Sequence, residues 1–155
     1  MQFLITLILA LFGVGSLGAA ASYYRARTIP RPDDAGNGEL TPCPQSPNCV
    51  SSIDTDQLHG MEPLPYSGSL EAAMQKLLAV IEALPRATVV KQAGTHLYVE
   101  TRSPTMGFPD DVEFVFDDEA KVINFRSAAR MGYGDMNKNR ERMQIIRQAF
   151  LASDE

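Results

Sequence analysis

The sequence predicts an α+β domain: a four-stranded antiparallel meander with two helices on one face, in the order β-α-β-β-β-β-α, behind an N-terminal transmembrane helix. Three observations predict it. Apolar and polar residues alternate on both sides of residues 117–121, the period of half-buried strands. Apolar residues recur at helical spacing over residues 70–84 and 136–150. Residues 3–21 form an apolar run with no charged side chain.

That apolar run is long enough to span a bilayer, and Tyr23, Tyr24, Arg25 and Arg27 after it suit an interface. Ala19, Ala20 and Ala21 offer a cleavage site for a signal peptide, but no Lys or Arg precedes the run, so residues 1–24 are read as an uncleaved single-pass anchor. Arg25 and Arg27 argue for a cytoplasmic domain, whereas a cysteine pair argues for an oxidising compartment. The extracytoplasmic side is preferred on the cysteines. All 14 Lys+Arg and 19 Asp+Glu follow the run and give a net charge of −5, which speaks against nucleic acid as a partner. Residues 25–41, rich in Pro, Gly, Asp and Asn, read as a flexible linker, and residues 42–152 as one domain.

The domain opens on Cys43-Pro44-Gln45-Ser46-Pro47-Asn48-Cys49-Val50-Ser51-Ser52, a compact turn in which Cys43 and Cys49 are spaced for a local disulfide. A metal site is not expected, because four ligands are normally needed and only His59 and His96 remain, at no finger-like spacing. No cofactor motif is present, and the spacing is not the C-x-x-C of a redox pair. Residues 58–66 read as a short edge strand weakened by Pro63 and Pro65. Ser69 caps a helix over residues 70–84, with Leu70, Met74, Leu77, Ile81 and Leu84 as its core stripe and Pro85 as its stop. Residues 88–92 and 96–102 form a hairpin about Ala93-Gly94-Thr95, with His96 and Tyr98 on one face and His96 expected to be exposed beside the turn.

A second hairpin joins residues 112–117 to a strand from Ile123. A turn centred on Glu119 and Ala120 sets Phe114 opposite Phe125, Phe116 opposite Ile123 and Glu113 opposite Arg126. Arg126 and Arg130 then share the face away from Phe125, a shallow charged surface with Glu113 if the helices cover the other side. Gly132 and Gly134 break the chain, Asp135 stands at an N-cap, and Met136, Met143, Ile146 and Phe150 form the stripe of a last helix flanked by Asn139 and Arg140. A half-buried guanidinium needs a partner, so Arg140 is expected to meet a carboxylate or carbonyl, with Asp135 and Asp111 as the candidates. Arg126, Ser127, Arg130, Asp135, Asn139, Arg140, Glu113 and Asp111 are thus the candidate ligand-binding residues. At the helix corner around Asn139 and Arg140, a structural clamp that fixes the helix to the sheet is preferred over an anion-binding corner.

Two separated motifs, Cys43-Pro44-x-Ser46-Pro47-Asn48-Cys49-Val50-Ser51-Ser52 and Phe125-Arg126-Ser127-Ala128-x-Arg130-x-Gly132-x-x-Asp135 with Asn139-Arg140, resemble the bacterial and plastid domain-of-unknown-function family 1499 over about residues 40–150. The resemblance implies signature positions, with no catalytic role attached to them. Ser127 alternates inward, no Gly-x-Ser-x-Gly elbow occurs, and a nucleophile–base pair is not evident, so an enzyme is the less favoured reading. The expectation is a membrane-anchored module that binds an anionic ligand, lipid headgroup or protein partner in the cell envelope. The alternatives are a structural or assembly subunit, or less readily an enzyme or thiol or metal protein using the cysteine loop.

Overall fold

The computed structural model describes residues 29, 31 and 36–152. The expected anchor at residues 3–21 lies outside the described residues, and among those described no helix is long and apolar enough to cross a membrane. The elements are β1 Cys49–Ser51, β2 Leu64–Pro65, α1 Leu70–Glu82, β3 Ala87–Ala93, β4 His96–Arg102, β5 Pro109–Asp117, β6 Val122–Ala129 and α2 Lys138–Ala152. β3 to β6 form the expected antiparallel meander. β1 and β2 both pair with β6, so the sheet has six strands rather than four. The strand expected over residues 58–66 shrinks to β2, two residues long, because Pro63 and Pro65 leave little backbone able to donate to a ladder.

The register of β5 with β6 is the expected one: Phe114 faces Phe125, Phe116 faces Ile123 and Glu113 faces Arg126. Phe114, Phe125, Leu97 and Val112 are fully buried on one face, where Met74, Leu77 and Ile81 of α1 and Met143, Ile146 and Phe150 of α2 pack on them. Burying each such side chain stabilises the fold by about 2 kcal/mol relative to leaving it in water. α1 begins as expected, with the Ser69 hydroxyl accepting from the Ala72 N–H at 3.2 Å.

α2 begins later than its sequence suggests. Met136 and Asn137 both adopt left-handed backbone, at φ 54° and 63°. Two such residues cannot continue a right-handed helix, so Met136 is 87% exposed instead of heading the buried stripe. Asp135 still caps from outside, accepting from the N–H of Asn137 at 3.0 Å and of Asn139 at 2.8 Å.

Candidate functional site

The candidate residues divide between the two faces of the sheet. Successive residues of a strand point opposite ways, so Asp110 and Asp111 are neighbours in sequence and serve different faces.

On the open face, away from the helices, Arg130 is the hub. Its Nε donates to Asp111 at 2.9 and 3.0 Å, and its Nη2 donates to Glu100 at 2.8 Å and to the Tyr98 hydroxyl oxygen at 2.9 Å. Tyr98 in turn donates to Asp111, and Arg102 donates to Glu100 at 2.7 Å. Burial disfavours charge on Arg130, yet Asp111 and Glu100 more than compensate and hold its pKa above the ordinary value. Burial likewise opposes the Glu100 carboxylate, but the bonds from Arg130 and Arg102 hold its pKa below the usual value. Burial, then the bond to Asp111, push the Tyr98 phenol up.

This face is not the shallow charged surface expected of Glu113, Arg126 and Arg130. The Arg130 and Glu113 side chains are only 4% and 7% exposed. The cause is the segment read as a linker. The Ile29 carbonyl accepts from Arg130, Arg31 stands 3.6 Å from Glu100, and the Gly36 N–H donates to Glu113 at 2.8 Å. Lys91 returns a bond of 2.6 Å to the Gly36 carbonyl. Only a glycine suits that place, because φ is +75° and a Cβ would lie 3.3 Å from the Tyr98 ring. His96, expected in solvent, is buried beneath it and meets Glu113 at 3.3 Å.

Arg126 differs from every other arginine of the described domain. Glu113 stands opposite it in the ladder but is engaged by His96 and Gly36, and among the described residues the Arg126 guanidinium has no hydrogen bond or ion pair. Its Nε is buried without a partner.

On the helix face, Ser127 donates to Asn139 at 2.6 Å, and Asn139 donates to the Asn48 carbonyl at 3.0 Å and to Asp135 at 2.7 Å. Asn48 reaches the Gly132 carbonyl at 2.7 Å, and its backbone accepts from Ala129. Cys43 and Cys49 form a disulfide around this turn. The turn is thereby fastened to the start of α2. Arg142 donates to Ser127, Asn139 and Asp110. Burial pushes the Asp110 carboxyl up, and Arg142 offsets that only in part. Ser127 is held by an amide and a guanidinium, neither of which takes up a proton from it. Arg140 has carbonyl partners, Gly60 at 3.1 Å and Leu58 at 2.8 Å, rather than the proposed Asp135 or Asp111. Asp111 is committed to Arg130 across the sheet, which removes it from reach.

Glu100, Asp110 and Arg142 were not singled out from the sequence, and Tyr98 and Asn48 were named there without these partners. Alternation along β4 places Glu100 on the face of Tyr98, a signal available once the four strands are aligned. Nothing local signals the sheet partners of Arg142, Ser127 and Asp110, which lie 15 and 32 residues away.

These features define a small antiparallel α+β domain with a disulfide-closed turn and a polar sheet face overlaid by its own N-terminal segment. The chain belongs to the DUF1499 family, described as proteins of unknown function, which matches residues 39–150. No curated protein matches it.

Proposed function

We propose that this chain is a membrane-anchored binding module of the cell envelope, held by a transmembrane helix at residues 3–21, whose open sheet face recognises an anionic lipid headgroup through Arg126. The observation that carries the reading is that, among the described residues, the guanidinium of Arg126 is unpartnered in a face where Arg130 and Arg102 are both engaged by carboxylates. A half-buried cation without a counter-charge is costly, and a phosphate would supply the missing acceptors in a bidentate geometry. The extracytoplasmic side suits the disulfide between Cys43 and Cys49. A structural role is the second reading, favoured by the edge strand β3, whose outer backbone is open to pairing.

The test uses the full chain in a neutral detergent, titrated with short-chain phosphatidylglycerol, phosphatidylcholine and inorganic phosphate while amide resonances of β6 are followed. Saturable shifts with phosphatidylglycerol are expected, reduced at least tenfold by Arg126→Gln with the melting midpoint unchanged. Arg130→Ala should instead destabilise by about 3–5 kcal/mol, the cost of orphaning buried carboxylates. Equal binding by the parent and Arg126→Gln would overturn the reading. Binding of inorganic phosphate alone would replace the lipid by a free anion.

A further inference from the structure

A second site lies on the opposite side of the sheet. Between the end of α1, the start of α2 and the far ends of β4 and β5 is a cavity of about 270 Å³. Its walls are of two kinds. Leu84, Pro85 and Ile145 are apolar, and Ile145 is 54% exposed, a large side chain left in water by a helix whose other face is fully packed. Facing them are three cations, Arg86, Lys138 and Arg142, against two carboxylates, Asp110 and Glu141, while Arg102 lines the wall with its guanidinium committed to Glu100.

Three details mark the cavity as more than a gap between elements. The Thr101 hydroxyl in its wall is buried without any hydrogen-bond partner, although Thr101 is only 6% exposed. Such orphaned groups are rare and costly in folded proteins. Arg86 holds left-handed backbone at φ 61°, an unfavourable conformation for a long side chain, at the mouth. Its Nε is tied to the Arg102 carbonyl at 3.2 Å, and among the described residues its Nη groups are uncommitted. The Asp110–Arg142 pair at the inner end and the Lys138–Glu141 pair at the rim, 2.7 Å apart, are already satisfied, so the excess of positive charge resides on Arg86.

We propose that this cavity binds a small organic carboxylate, its apolar body against Leu84, Pro85 and Ile145 and its carboxylate toward Arg86. The combination of an apolar wall with a few convergent polar groups is what small-ligand sites share. A neutral ligand of the same shape gains nothing from the Arg86 guanidinium, and an amine is repelled by it. The site is independent of Arg126, which lies on the other face of the sheet.

Benzoate is the probe, with benzamide as its uncharged counterpart, titrated into the full chain in neutral detergent with amide resonances followed. Saturable shifts at Thr101, Arg102 and Ile145 are expected for benzoate, with benzamide at least tenfold weaker. Arg86→Asn, which suits left-handed backbone, should weaken benzoate at least tenfold without moving the melting midpoint. Thr101→Val keeps the packing volume and removes the hydroxyl; a loss of benzoate affinity in a variant at least as stable as the parent identifies that hydroxyl as part of the site. Equal binding of benzoate and benzamide, unchanged affinity in Arg86→Asn, or no saturable shift would each overturn the proposal. Shifts confined to β6 would reassign the carboxylate to Arg126.

Discussion

Asp110 and Glu100 sit one cross-strand step apart in β5 and β4, and their surroundings push them in opposite directions. Asp110 has a folded pKa above its ordinary 3.8, so its contribution is fully present below that value and is lost as pH rises through the raised one. Glu100 has a folded pKa below its ordinary 4.5, so its contribution is present above that value and is lost as pH falls through the lowered one. Relative to the parent, Asp110→Asn should therefore gain stability as pH rises above 3.8, and Glu100→Gln should lose it as pH rises toward 4.5. Melting midpoints across a buffer series from acid to neutral check both. Curves parallel to the parent would contradict the assigned environments. Little of this was legible at the residue scale. The pairing of Glu113 with Arg126 was read from two adjacent strands, but a third strand supplies Glu100, and the cover over His96 comes from residues 60 and more positions away.

Elements were more legible than their contacts. The β5–β6 register followed from period-2 alternation, because a slip by one residue would have exposed Phe114 and Phe125 together. α1 was readable from both ends, with Ser69 capping its start and Pro85 just beyond its close. The start of α2 was not, since a left-handed pair at Met136 and Asn137 has no glycine to announce it. That start matters for the loop before β2. Arg140 on the first turn of α2 bonds the carbonyls of Leu58 and Gly60, and a Cβ on Gly60 would come within 2.7 Å of the Asp56 carbonyl oxygen. Arg140→Ala is expected to cost about 2 kcal/mol, the order of hydrogen bonds from a charged donor. Gly60→Ala should disturb the same anchorage from the other side. Denaturant unfolding of the two single variants and the double should give less than the sum, since both act on one loop. Strict additivity would show that Arg140 does not hold it.

For the molecule as a whole, the α+β class, the meander and the disulfide all followed from local chemistry, whereas the two strands added to β6 and the overlay of the open face depend on segments distant in sequence. The disulfide closes a short loop, so its removal should have a limited effect. Cys43→Ser with Cys49→Ser is expected to lower stability by about 2 kcal/mol, the loop-closure contribution for so few residues. Retention of the Asn48–Asn139 contact by amide chemical shift would accompany it; loss of all tertiary structure would contradict the estimate. The contact of Ile29 with Arg130 also has a consequence for where the domain can stand. From Ala21, the end of the proposed span, to Ile29 there are eight residue steps, which reach at most about 28 Å when fully drawn out. Such a leash is shorter than the bilayer is thick. Anchored as proposed, the chain can swivel but not roam, and Arg130 and its neighbours stay moored within one leash length of the lipid.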